Sequence, residues 1–167
     1  VLRTHALRSG TTLSEFMADM AERWGIAGRI IPMSDETVRT VIETELGPLD
    51  FQDYFVRRRC EPVAQSIQFR GASDAAPVAE LQEIMTVGSL AVVIICPSNP
   101  YLSIDPILSV PGIRDALRRC GAPVVAVSPV VSGDSLKGPT AKIMNELGII
   151  CSATAIAQHY RGLIDGL

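Results

Sequence analysis

The chain has 167 residues, 47% of them hydrophobic, with 15 Lys and Arg against 18 Asp and Glu and a formal net charge of −3. That length and apolar fraction suit one globular domain, or part of one, able to bury a real core. The mildly acidic balance excludes a general attraction for nucleic acid or anionic lipid, and no apolar run approaches the length of a membrane span. Cys60, Cys96, Cys120 and Cys151 are widely spaced and form no C-x-x-C pair. They read as reduced, mostly buried thiols, and with no signal-peptide pattern the expected location is cytoplasmic. The chain starts at Val1 without Met and stops at Leu167 just after a predicted strand, so both ends read as cut and a fragment is expected.

Residues 12–24 carry Leu13, Phe16, Met17, Met20, Ala21 and Trp24 at helical spacing, with a Thr12–Glu15 capping box and Gly25 as the closing glycine. Residues 28–33 and 37–43 read as strands, with a turn at Gly47-Pro48. In residues 49–60 (LDFQDYFVRRRC) the aromatic spacing predicts a helix ended by Pro62; a short strand over 66–70 and a loop over 71–75 follow. Residues 77–87 predict a helix with Val78, Leu81, Ile84 and Met85 facing inward.

From there the pattern is regular. Strand 90–96 (LAVVIIC), helix 111–120, strand 123–127 (PVVAV), helix 139–147, strand 148–151, helix 153–160 and strand 163–165 alternate with short connections. Such alternation means βαβ units around a parallel sheet with right-handed crossovers. The expected fold is α/β, a Rossmann-like three-layer parallel sheet incomplete at its N-terminal side, with a small α+β insertion. The expected division is 1–44 (helix and strands of the core), 45–87 (insertion) and 88–167 (βαβ half carrying the substrate loops).

The loops after residues 96 and 127 leave the carboxyl ends of parallel strands, so they open on one edge, where open α/β sheets bind ligands. The first lies in IICPSNPYLSIDP (94–106) and offers Ser98, Asn99 and Ser103 as neutral hydrogen-bonding groups. Asp105-Pro106 has the grammar of an N-cap followed by a first-turn proline. The second, SPVVSGDSLKGPTAK (128–142), brings Gly133, Gly138 and Lys137 beside a helix start where a phosphate is welcome, without the order of a Walker motif. Singly, such residues are ordinary turn material; two such loops on one edge favour a site. Arg57, Arg58 and Arg59 form either a solvated face or an anion clamp. His5 and His159 lack triad spacing, and Asp50 with Asp53 makes no metal signature. Neutral donors, glycines and one lysine suit a nucleotide or diphosphate substrate handled by positioning and a metal.

PSNPYLSIDPIL (97–108) and SPVVSGDSLKGPTAKIM (128–144) resemble the 2-phospho-L-lactate transferase family of coenzyme F420 biosynthesis. LRTHALRSG (2–10), LDFQDYFVRRRCEPV (49–63), VPGIRDAL (110–117) and HYRGLIDG (159–166) resemble it too, in order, so the likeness runs nearly end to end. The resemblance implies a Mg²⁺-assisted transferase. It would move a phospholactyl or phosphoenolpyruvyl group from a guanosine diphosphate donor to the ribityl hydroxyl of 7,8-didemethyl-8-hydroxy-5-deazariboflavin, releasing GMP. It implies Ser98, Asn99, Ser103, Lys137 and Gly138 as substrate contacts, Arg57, Arg58 and Arg59 near the acceptor, small-molecule partners and a homodimer. In the family, the glycine-rich first loop and the groups that bind metal and deazaflavin lie upstream of these motifs. No catalytic residue or metal ligand is therefore assigned here, and the isolated fragment is expected to be inactive.

The main rival is a non-enzymatic regulator of carbon metabolism and cell shape with the same fold, binding UDP-sugars. Those relatives read GPGSLYTS where this chain reads CPSNPYLS, so Asn99-Pro100 favours the transferase. A nicotinamide or flavin oxidoreductase ranks third, since no G-x-G-x-x-G is present.

Overall fold

Helices α1 (Leu2–Arg8) and α2 (Leu13–Arg23) open the chain, in a computed structural model that describes residues 1–86, 88, 90–135 and 138–167. α1 has no predicted counterpart: it buries no residue, so it carries no apolar stripe to read. α2 is built as its sequence dictates. Thr12 Oγ1 accepts from Glu15 N (3.2 Å), Thr12 N donates to Glu15 Oε2 (2.8 Å), and Gly25 turns left-handed at φ 64° to close the helix.

Strands β1 (Arg39–Thr44), β2 (Gly47–Asp50) and β3 (Ala64–Arg70) form an antiparallel sheet in the order β2-β1-β3. The turn predicted at Gly47-Pro48 is displaced: Thr44 pairs with Gly47, so Glu45 and Leu46 make the turn and Gly47 starts a strand. Thr44 Oγ1 fixes that register, donating to Gly47 O (2.8 Å) and accepting from Leu46 N (3.1 Å). Residues 28–33 are not a strand; their β-branched run has no neighbour to pair with, and Pro32 has no N–H to offer a ladder. After β3, Gly71 sits at φ 85°, and a Cβ there would run into the Thr37 carbonyl oxygen, so only glycine fits.

The helix predicted over 49–60 is realised from Phe51, turning π-helical over Asp53–Arg57. It ends with Arg59 and Cys60 both at positive φ (50° and 59°). Helix α3 (Ala79–Thr86) follows with Met85 buried, and the last residue of its predicted span, Val87, lies outside the described residues.

β4 (Val93–Ile95) and β5 (Val124–Ala126) pair in parallel, Val93 against Val124 and Ile95 against Ala126. On the far side of β5 the predicted strand 163–165 reduces to one parallel bridge between Val125 and Gly166, with Asp165 N donating to Val124 O (2.7 Å). The parallel sheet is therefore narrower than expected. Between β4 and β5 lie a π-turn (Pro100–Ile104), α4 (Asp105–Leu108) and α5 (Ile113–Arg119). After β5 a two-residue-strand hairpin, β6 (Val130–Val131) and β7 (Asp134–Ser135), occupies a stretch read as loop. α6 (Thr140–Glu146) and α7 (Ala153–His159) complete the chain.

Residues 148–151 are not a strand either. Gly148, at φ 73°, donates to Asn145 O (3.1 Å) and Ile149 N to Met144 O (2.8 Å), so this apolar stretch is spent closing α6. One continuous core joins the two sheets through Ile42, Tyr54, Ile95, Ala126, Ile143 and Tyr160. The class is α/β, a parallel Rossmann-like pair beside an antiparallel α+β part. Among the described residues no helix is long and apolar enough to cross a membrane.

Candidate functional site

The carboxyl ends of β4 and β5 open on one cavity of about 490 Å³. The β4 loop contributes Pro97, Ser98, Asn99, Leu102 and Ser103; the segment from β5 to α6 contributes Pro129, Gly138, Pro139 and Thr140. Phe51 and Phe55, from the helical turn after β2, form the remaining wall. The two predicted loops do meet, and four predicted residues, Ser98, Asn99, Ser103 and Gly138, line the same space. Lys137 lies outside the described residues.

Asn99 organises the first loop. Its Oδ1 accepts from Tyr101 N and Leu102 N, both at 3.0 Å, capping the π-turn that Pro100 begins. The N-cap-then-proline grammar is thus satisfied by Asn99-Pro100, six residues upstream of the expected Asp105-Pro106. Asp105 is no cap: α4 starts without a side-chain cap, and its carboxylate turns to His159 Nε2 at 2.9 Å and Arg114 Nη2 at 3.7 Å. The two hydrogen bonds accepted by Oδ1 fix the orientation of the Asn99 amide. Its Nδ2 is left buried without a hydrogen-bond partner, on a residue that lines the cavity. An orphaned buried donor costs on the order of 1–3 kcal/mol, which any acceptor that reached it would recover.

The other groups complete a neutral, donor-bearing surface. Among the described residues the Ser98 and Ser103 hydroxyls meet no hydrogen-bond partner, whereas Ser128 Oγ spends itself on Val130 in a local turn. Gly138 is left-handed at φ 72° and its carbonyl accepts from Ser135 Oγ (3.2 Å). Phe51 and Phe55 stack with ring centroids 5.3 Å apart and planes 19° from parallel, and Phe55 keeps 41% of its surface exposed. That pair offers a flat apolar face opposite the polar loop.

Behind the aromatic wall, Lys142 anchors the turn. Its Nζ donates to Pro62 O (2.9 Å), reaches Tyr54 Oη (3.5 Å) and pairs with Glu146, whose Oε2 accepts from Ala64 N (3.0 Å). Burial, and then the Glu146 carboxylate, pushes the Tyr54 phenol far above its usual range. Burial also raises the Cys60 thiol, while Lys142 partly opposes that rise.

The arginines stand elsewhere. Arg57 and Arg58 line a separate concavity with Glu45 and Glu61, and both lean on Asp53 (3.6 and 3.0 Å). Arg59 is exposed, as is His5 on α1. Three site residues escaped the sequence reading. Phe51 and Phe55 were legible as a helical i, i+4 pair but not as a platform, and Thr140 was hidden in GPTAK, where a hydroxyl after Gly-Pro was the available signal. Among the described residues no three His, Cys, Asp or Glu side chains gather closely enough to hold a metal ion, and no carboxylate lines the cavity.

The family model described as 2-phospho-L-lactate transferase CofD matches residues 1–166. The chain belongs to that family. It is 36% identical over 165 residues to the 2-phospho-L-lactate transferase of Methanosarcina acetivorans, covering 99% of this chain and 52% of that protein. To the phosphoenolpyruvate transferase of Streptomyces griseus it is 39% identical over 171 residues, covering 99% and 53%. The chain thus spans about half the length of these curated relatives. Among solved structures, a member of the UPF0052 family from Bacillus halodurans superposes with a TM-score of 0.65 over 96% of this chain and 48% of that one; at 22% identity this supports the fold alone.

Proposed function

We propose that these residues form the substrate-holding half of a transferase that moves a phospholactyl or phosphoenolpyruvyl group from a guanosine diphosphate donor to a deazaflavin. The observation that carries the reading is the Asn99 amide, buried and unpartnered where the two strand-end loops meet. Relatives named for both transferred groups support the class of reaction.

In this reading Asn99 Nδ2 and the Ser98 and Ser103 hydroxyls donate to the phosphoryl oxygens of the donor. Gly138 keeps the opposite wall free of a side chain, and Lys137 adds a cation to the diphosphate. The acceptor's terminal ribityl oxygen forms a bond to the distal phosphorus; the bond from that phosphorus to the bridging oxygen breaks; GMP leaves with that oxygen and the hydroxyl proton is released. Donors fixed before the reaction stabilise the charge that builds on those oxygens without reorganising. Phe51 and Phe55 give a face on which a flat ring can stack.

Mg²⁺, when bound, neutralises diphosphate charge. The described lining has no carboxylate to hold it, so the ion does not fit a protein cage built from these residues, and none of them is given a part in binding it. The Arg57–Arg58 concavity, on a different face of the same turn, is the weaker place for an acceptor.

The test is a competition assay on the whole protein with Mg²⁺, 7,8-didemethyl-8-hydroxy-5-deazariboflavin and both guanosine diphosphate donors, products identified by mass. A phospholactyl- or phosphoenolpyruvyl-deazaflavin with released GMP supports the proposal and names the donor. No product, with tight binding of a UDP-sugar instead, overturns it.

A further inference from the structure

The polar wall of the cavity is held from behind by a group that the reaction itself does not use. The segment that supplies Leu102 and Ser103 to the cavity runs without interruption from the π-turn into α4, where Asp105 is N-terminal. Asp105 Oδ1 lies 2.9 Å from His159 Nε2, at the end of α7, and 3.7 Å from Arg114 Nη2 on α5. Both partners of the short contact are largely enclosed, with 21% and 16% of their side-chain surface exposed. The imidazole is also gripped edge-to-face by two tyrosines. Its centroid is 4.8 Å from Tyr101, within the π-turn, and 5.1 Å from Tyr160, just past α7.

We propose that His159 is a positioning residue: through Asp105 and Tyr101 it fixes the Asn99–Ser103 wall of the cavity against α7.

The charges facing the imidazole come from few places. Among the described residues Asp105 on α4 is the one anion paired with it, and Arg114 on α5 shares the same carboxylate oxygen. The Tyr101 and Tyr160 phenols are pushed up chiefly by burial and stay neutral through the physiological range, and burial also raises the more distant Cys151 thiol. A protonated imidazole therefore gives Asp105 a charge-assisted bond, roughly twice as strong as a neutral one, while a neutral imidazole gives an ordinary hydrogen bond. Arg114 keeps Asp105 from being stranded, so loss of the His159 bond falls on the position of the wall and spares the fold.

The kinetic part of this inference rests on the donor-site reading above; the positional part does not. The test compares the whole wild-type protein with His159→Phe, which keeps the ring contacts but loses the bond, and with Asp105→Asn. Amide hydrogen exchange over residues 101–108 is followed at one fixed pH without substrate, alongside the donor KM. The expected result is exchange about tenfold faster in His159→Phe and a donor KM raised about tenfold with kcat within about threefold. Asp105→Asn should speed the same exchange. Wild-type exchange over these residues in His159→Phe overturns the proposal. If the wild type turns over no donor, the functional reading fails and the exchange arm alone decides this one.

Discussion

Replacing Asn99 by alanine separates its two jobs, because their effects on stability have opposite sign. Loss of the cap to Tyr101 N and Leu102 N costs about 1 kcal/mol, within the usual range for removing a side-chain cap. Removing the orphaned Nδ2 relieves about 1–3 kcal/mol of unsatisfied burial. The folded state should therefore be between unchanged and about 2 kcal/mol more stable, an upward Tm shift of no more than about 8 °C for a chain of this size. Donor binding has no such offset. Loss of a hydrogen bond to a charged oxygen costs about 1.5–3 kcal/mol, or roughly 10- to 150-fold in affinity. Asn99→Asp makes the control sharper: it keeps a good cap but sets a carboxylate oxygen where the N–H₂ stood, and should weaken donor binding more than alanine does. Calorimetric titration with the donor and thermal unfolding, run on the same preparations, read both effects. Unchanged donor affinity in Asn99→Ala would refute the reasoning and return the side chain to a purely structural role.

Three further outcomes are expected. Phe55→Ala removes a half-exposed ring, so stability should fall by about 1 kcal/mol or less while deazaflavin affinity drops about tenfold and donor affinity holds; equal losses for both ligands would argue against a ring platform. Lys142→Met leaves Glu146 without its cation and should cost about 2 kcal/mol in urea unfolding, less than a fully buried pair because Lys142 is about a third exposed; adding Glu146→Gln should recover part of the loss. Glu36 is held below its ordinary value of 4.5 by the Ser34 hydroxyl and then the Ala76 N–H. Its contribution is present above the unfolded value and lost as pH falls through the folded one. Glu36→Gln should accordingly flatten the acid limb of stability below about pH 4.5, and an unaltered limb would dismiss that tether.

Local chemistry was legible where the signal and its structural outcome lie within a few residues of each other. The Thr12–Glu15 box, the closing Gly25 and the span of α7 are of this kind. So was the edge on which the loops open, because strand order in parallel units leaves little choice. What was misread depended on partners. Residues 28–33 and 148–151 have strand-like composition, yet a strand exists only where another chain segment pairs with it, and Gly148 was claimed by the end of α6. Asp105-Pro106 and Asn99-Pro100 carry the same cap grammar. His159, 54 residues away from Asp105, draws the aspartate off, so α4 starts without a side-chain cap while Asn99 caps the π-turn before it. The aromatic platform was invisible for a similar reason: i, i+4 spacing announces a helix and says nothing about the loops facing it.

The most direct test of the central claim is to locate GDP and the deazaflavin bound to the whole protein, by crystallography of the complex with Mg²⁺. The account predicts phosphoryl oxygens within hydrogen-bond distance of Asn99 Nδ2, between the β4 loop and the start of α6, with a flat ring against Phe55. A diphosphate seated instead in the Arg57–Arg58 concavity, with the Asn99 amide still unpartnered, would contradict it.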